Sequence, residues 1–401
     1  MRAGAPGPRA ARELLLPALL SLPAKRRLRP GAGRRARGGG RRSPRRPARG
    51  PSLSAPGWAQ RAPLGSPRRP AGRRRRGGRR RGGSRGPGAR KRALADPAAL
   101  AVARPSVSVV VPFVGGEAEL AGVRRALSRL RRGPADELIV VDNRRAPATP
   151  RRVGALAPGA GANAHEGGVR ILRASGVRTP AYARNAGARA SIGEWLVFVD
   201  ADTDPDPGLL DAYFAPTPDE MVGVLAGAVS DAVGADTVAS RYGVQRGGMD
   251  QAVTMERRGT PYAQTSNCAV RRRAFEQIGG FMAEARAGED ADLCFRLARA
   301  GWTLESRPEA RVCHRARATV RALVVQLARH GSGAAWLERR YPGEFTAPGT
   351  GVLMRRAVAD VRAAARALAR GDREEAAFAM IDLAGAVAFE GGRRLPNLRR
   401  H

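Results

Sequence analysis

The residues best suited to chemistry in this chain are Asp200-Ala201-Asp202, which follow directly on the apolar run Trp195–Val199. Two carboxylates one residue apart, with a small side chain between them, suit a hard divalent cation and leave coordination positions for phosphate oxygens. The plainer reading is a strand followed by a polar turn, since Asp204-Pro205 is a common turn opener. A second acidic run, Glu289-Asp290, stands just after Gly288 where a helical pattern begins. On its own it would serve as first-turn acid complementing the helix dipole. Asp292 and Arg296 follow at (i, i+4) and read as a helix ion pair.

These acids need elements that aim them. Trp195–Val199 is five apolar residues in a row, the habit of a strand buried on both faces in an α/β sheet. In open α/β sheets ligands sit beyond the carboxyl ends of the strands, which is where Asp200 and Asp202 fall. Val107–Val111, ending at Pro112-Phe113, and Glu137–Val141, ending at Asp142-Asn143, read as two more such strands. Leu120, Val123, Leu127 and Leu130 recur between them at helical spacing, so 117–132 is expected as a helix and the three elements as a βαβ unit.

Residues 144–168 read mainly as loop and Val169–Leu172 as a strand, and Thr179-Pro180 opens a helix as N-cap and first-turn proline. Met221–Ser230 reads as a strand, 231–262 as irregular, and 264–281 as a strand and short helix stopped by glycine. Leu293, Leu297 and Ala300 mark the face of a helix ending at Gly301, and Val320, Leu323, Val324 and Leu327 mark another. Beyond about residue 350 the chain reads as two helices broken near Gly371.

Charge is placed unevenly. The 401 residues hold 72 Lys and Arg against 35 Asp and Glu, and residues 1–100 alone carry 29 basic and 2 acidic side chains. Residues 1–104, made of Arg, Gly, Pro, Ala and Ser, bury too little apolar surface to offset their ordering entropy and are expected to be disordered. Such an arm serves as an electrostatic tether for nucleic acid or anionic lipid, or as a passive tail upstream of the working protein. Cys268, Cys294 and Cys313 are scattered, without metal-type spacing, and suggest reduced thiols in a cytoplasmic setting. No membrane span is visible, and Leu14–Leu22, broken by Pro17, does not read as a signal peptide.

Taken together, Val107–Phe113, Val140-Val141-Asp142-Asn143, Arg184-Asn185-Ala186-Gly187, Asp200-Ala201-Asp202, Gly279-Gly280-Phe281 and Glu289-Asp290 through Gly301-Trp302 resemble the family 2 glycosyltransferases. The segment from His314 through Arg329-His330-Gly331 to Tyr341-Pro342 resembles members found in peptide-cofactor maturation clusters of the mycofactocin kind. The resemblance implies a GT-A (Rossmann-like) α/β fold, a mixed sheet flanked by helices, over 105–345. A helical extension follows at 346–401.

It also implies roles. Pro112, Phe113, Asp142 and Asn143 would line the nucleoside pocket, with Arg184 approaching the nucleotide. Asp200 would face ribose or a metal-bound water. Asp202 would bind Mn²⁺ or Mg²⁺, with His314 as a further ligand. Asp290 would take the proton from the acceptor hydroxyl, with Glu289 orienting the acceptor. A helix N-terminus should keep Asp290 ionised and hence a weak base.

The implied reaction is metal-dependent, inverting transfer from a nucleotide-diphospho sugar to a glycan, lipid-linked or peptide-derived acceptor. Because lipid-linked acceptors are common in the family, the resemblance also implies a place for peripheral contact with the inner face of a membrane. Two other readings stand beside it. One is a catalytically silent nucleotide-sugar-binding module, which the intact set Asp200, Asp202 and Asp290 argues against. The other is nucleic-acid binding through the Arg-rich arm, disfavoured because Trp58 is the arm's only aromatic residue.

Overall fold

The structure, a computed structural model, describes residues 104–144, 164–166 and 168–399. The arm expected to be disordered lies outside these residues, apart from Arg104.

The first half of the domain follows the expected order: β1 (Val107–Phe113), α1 (Glu117–Ser128), β2 (Glu137–Asp142), β3 (Ala164–Glu166), β4 (Val169–Arg173), α2 (Pro180–Arg189) and β5 (Trp195–Val199). β1, β2, β4 and β5 run parallel, in the order β4-β2-β1-β5. The side chains of β1 show why its run is continuously apolar. Val107, Val109, Val111 and Phe113 join one core, which α1 covers, while Val110 points into the other. The segment expected mainly as loop contains β3, antiparallel to β4. Three residues with a single apolar side chain gave no period to read.

Gly187 explains one of the sequence motifs. A Cβ there would lie 2.4 Å from a methyl of Val110, so only glycine lets α2 settle on β1. Asn185, beside it, donates to the Phe281 carbonyl and accepts from the Phe281 amide, both at 2.9 Å. Much of what these motifs do is therefore structural: they clamp α2 against the turn that leads to Glu289 and Asp290.

The second half is β6 (Thr203–Pro205), α3 (Leu209–Tyr213), β7 (Val222–Ala232), α4 (Val238–Arg246), α5 (Gln251–Met255), β8 (Asn267–Arg271), α6 (Arg272–Gln277), α7 (Glu289–Arg299) and β9 (Thr303–Arg315). These strands complete a nine-stranded mixed sheet, ordered β3-β4-β2-β1-β5-β8-β7-β9-β6. Residues 231–262, expected to be irregular, hold two short helices whose N-caps, Thr237 and Asp250, accept backbone N–H bonds. Their polar composition and few turns left no readable apolar face. Three longer helices follow: α8 (Val320–Arg340), α9 (Thr350–Ala369) and α10 (Arg373–Gly392). None of the described helices is long and apolar enough to cross a membrane.

Candidate active site

One cavity of about 800 Å³ lies beyond the carboxyl ends of β1 and β5. It gathers Pro112, Phe113, Asn143, Arg184, Asp200 and Asp202 on one side, with Glu289, Asp290 and His314 facing the same space. These residues span more than 200 positions of sequence, so the fold alone unites them. Asp142 is the exception. It is buried behind the lining, and its carboxylate is held by Arg144 at 2.8 Å and Arg173 at 2.6 Å, which keep it below the usual carboxylate range against the opposing effect of burial. Asn143 sits on the edge of the cavity but donates to the Ala174 carbonyl at 2.5 Å, so its side chain anchors the strand ends.

Arg184 organises the centre. It is buried on α2, and its guanidinium reaches Asp200 at 2.6 Å and Glu289 at 2.8 Å. Its Nε has no hydrogen-bond partner among the described residues. A single cation thus ties the end of β5 to the start of α7, and Glu289 is fixed by it.

Asp202 lies one residue past Asp200 and is about a third exposed to the cavity. Its backbone carbonyl accepts from the Arg315 amide at 3.0 Å, which fastens the turn to β9. His314 approaches its carboxylate with Nε2 at 3.6 Å, and Arg317 does so at 3.3 Å. The other ring nitrogen of His314 lies 2.7 Å from Asp231. Asp231 and His314 are direct cross-strand partners on β7 and β9, so the register of those strands sets the contact. Burial would lower the His314 pKa, yet its two carboxylate neighbours raise it to about 9. Asp202 moves the opposite way: burial raises its pKa, but His314 and Arg317 bring it below the ordinary value. Asp200 is raised by burial and by repulsion from Asp202, against the pull of Arg184.

Asp290 sits in the first turn of α7, and Gly288, at φ 80°, supplies the left-handed turn into that helix. Among the described residues no cation contacts its carboxylate; its hydrogen bond comes from the Ala291 amide at 2.8 Å. Burial first, and then the neighbouring charge of Glu289, raise its pKa to about 7. This corrects the expectation that the helix N-terminus would hold it ionised: burial and a like charge outweigh the dipole. The expected Asp292–Arg296 pair forms at 2.8 Å. Cys268 and Cys294 are buried free thiols, and Trp302 is buried.

Sequence reading missed Asp231 and Arg317. Asp231 had a signal, since like Asp200 it ends an apolar strand, but the helices that follow it obscured where that strand stopped.

Asp202 supplies one hard carboxylate oxygen and His314, once a bound cation displaces its Nε2 proton, one imidazole, a donor set that fits Mn²⁺ or Mg²⁺ when diphosphate oxygens and water fill the remaining positions. Among the described residues no three His, Cys, Asp or Glu side chains converge to hold a metal by themselves.

A mixed α/β sheet with acidic residues at strand ends, facing helix-borne carboxylates across one cavity, is the arrangement expected of a GT-A type domain. Residues 104–333 match the family described as Glycosyltransferase like family 2, and the chain belongs to it. It is 30% identical over 184 residues to the pre-mycofactocin glycosyltransferases of two Mycobacterium tuberculosis strains, CDC 1551 / Oshkosh and ATCC 25618 / H37Rv. Those matches cover 45% of this chain and 39% of each relative, so the chain spans well under half the length of the curated relatives it matches. Among solved structures it is similar to the mannosyltransferase PcManGT of Pyrobaculum calidifontis, in complex with GDP-Man and Mn²⁺, at 20% identity and TM-score 0.47, over 71% of this chain and 87% of that one.

Proposed function

We propose that this chain transfers a sugar from a nucleotide-diphospho sugar to an acceptor hydroxyl, with inversion at the anomeric carbon. The observation that carries the reading is the single cavity in which Asp202 and His314 face Asp290, inside a family 2 domain. Pro112 and Phe113 would line the nucleoside end, and Asp142 would reach the base or ribose once Arg144 and Arg173 yield. Asp202 and His314 would hold Mn²⁺ or Mg²⁺. A bound divalent cation supplies charge neutralisation at the departing diphosphate.

The chain's own residues do the rest. Asp290 accepts the proton of the acceptor hydroxyl as its oxygen bonds to the anomeric carbon and the bond to the diphosphate breaks. A carboxylate with a pKa of about 7 is a far stronger base than an ordinary aspartate and is still about half ionised at neutral pH. Glu289, held by Arg184, keeps the first turn of α7 in place beside the acceptor. Residues 105–345 would form the transferase domain. The 346–401 extension would close the acceptor end, where Phe389 of α10 and Leu327 of α8 line the cavity. The acceptor would be a glycan, a lipid-linked or a peptide-derived hydroxyl, and the resemblance to pre-mycofactocin enzymes supports the last.

A thermal-shift screen of UDP-, GDP- and dTDP-sugars, with and without Mn²⁺, tests the reading. A specific donor at 100 Kd stabilises the protein by about 2.7 kcal/mol. Binding of one nucleotide class that depends on Mn²⁺ is expected. No shift with any donor, in the presence of the metal, would refute it.

A further inference from the structure

Helix α9 carries a row of apolar side chains that none of the described residues covers. Met354, Val358, Val361 and Leu368 are 61%, 42%, 50% and 58% exposed, and Ala365 between them is exposed as well. Their spacing of four, three, four and three residues keeps them on one face over four turns, within a band of about 80° at 3.6 residues per turn. Helices of globular proteins bury such a stripe. Here the buried face is a different one: Ala364 and Ala367 are the residues of α9 that pack inward.

The charges of the helix complete the picture. Arg355, Arg362, Arg366 and Arg370 are all exposed, and the same helical geometry sets them along one flank of the stripe. The lone acidic residue of α9, Asp360, faces Arg356 at 3.8 Å. A second copy of this helix would bring arginine against arginine, and an ordinary protein groove would leave four cations to be matched one by one. An apolar stripe edged by arginines fits an anionic lipid surface, in which the apolar side chains enter the acyl boundary and the guanidiniums meet phosphates.

We propose that α9 is a membrane-docking helix that seats the protein on an anionic bilayer. The inference goes beyond the sugar-transfer reading and stands without it. The two are linked in space, because Arg356 of the same helix lines the catalytic cavity. A bilayer beneath α9 would lie beside the acceptor end of that cavity.

The test uses the full chain with sedimented vesicles of phosphatidylcholine, with or without phosphatidylglycerol. An Arg-rich arm would itself attract anionic vesicles, so the stripe is read by substitution and by location. Val358→Asp with Leu368→Asp, both at exposed positions, should leave the melting temperature unchanged and reduce partition into phosphatidylglycerol vesicles by roughly tenfold or more in 0.3 M salt, where surface electrostatics are screened. Hydrogen exchange in peptides covering 350–370 should slow when those vesicles are added and stay unchanged with phosphatidylcholine alone. Vesicle binding that survives the double substitution, with no slowing over 350–370, would overturn the proposal and leave the arm as the attachment. Slowing that appears without vesicles as protein concentration rises would overturn it in favour of a second copy.

Discussion

Asp290 and Asp292 stand two residues apart on α7 and have opposite surroundings. Asp292 is fully buried, yet Arg296 and Arg340 reach it at 2.8 and 3.0 Å and the Tyr341 hydroxyl donates to it at 2.7 Å. Asp290 faces the cavity, meets no cation among the described residues, and is raised to about 7. Burial with partners makes Asp292 a structural post, whereas Asp290, half-buried at the cavity wall, is on the proposed reading left to act as a base. The same division recurs around Arg184, which takes Asp200 from the strand end and Glu289 from the helix start. Asp202 and Asp290 remain turned toward the cavity. In each acidic run one carboxylate is tied to Arg184, and its neighbour is the one to which the proposed function gives the chemistry.

The largest effect should come from breaking the post. Asp292→Ala leaves Arg296 and Arg340 beside an empty site and cuts the link from α7 to the end of α8, at a cost of about 3–5 kcal/mol. Urea unfolding should show it as a lower midpoint at unchanged slope. A loss under 1 kcal/mol would mean that the ion cluster is incidental.

Asp290→Asn should do the reverse, sparing the fold and stopping the chemistry. Turnover should fall on the order of 10²–10⁴-fold, the usual contribution of a positioned general base. In the wild type, kcat/KM should fall about tenfold per unit as pH drops below about 7, and this limb should vanish in the variant. An unchanged transfer rate in Asp290→Asn would assign the base to another group.

The smallest effect sharpens the comparison most. A carboxyl raised in the folded state contributes stability that is present at low pH and lost as pH rises through about 7. Asp290→Asn carries no charge at any pH. It should therefore be more stable than wild type at pH 8, on the order of 1 kcal/mol after solvent screening, and equal to it near pH 4. Paired melts at the two pH values would show this, and equal stabilities at pH 8 would contradict it.

The frame was legible because β1, β2 and β5 are buried on both faces and so read as unbroken apolar runs. α7, α8 and the break at Gly371 were legible because their periods and stops are strong. Short elements were not: β3, β6, α4 and α5 carry too few residues to show a period. The candidate site was legible as separate runs, Asp200-Ala201-Asp202 and Glu289-Asp290. Their shared dependence on Arg184 was hidden, since Arg184 and Glu289 are 105 positions apart. The raised pKa of Asp290 was hidden for a related reason. Local sequence shows a helix start, while burial and the absence of a cation are properties of the assembled cavity.

One titration tests the division of labour most directly: calorimetry of a nucleoside diphosphate with Mn²⁺ against wild type, Asp202→Ala, Asp200→Ala and Asp290→Asn. Asp202→Ala should abolish the metal-dependent heat, and Asp200→Ala should weaken it less. Asp290→Asn should hold affinity within about threefold, roughly 0.65 kcal/mol. Metal-independent binding of equal strength in wild type and Asp202→Ala would contradict the account, as would loss of nucleotide binding in a folded Asp290→Asn.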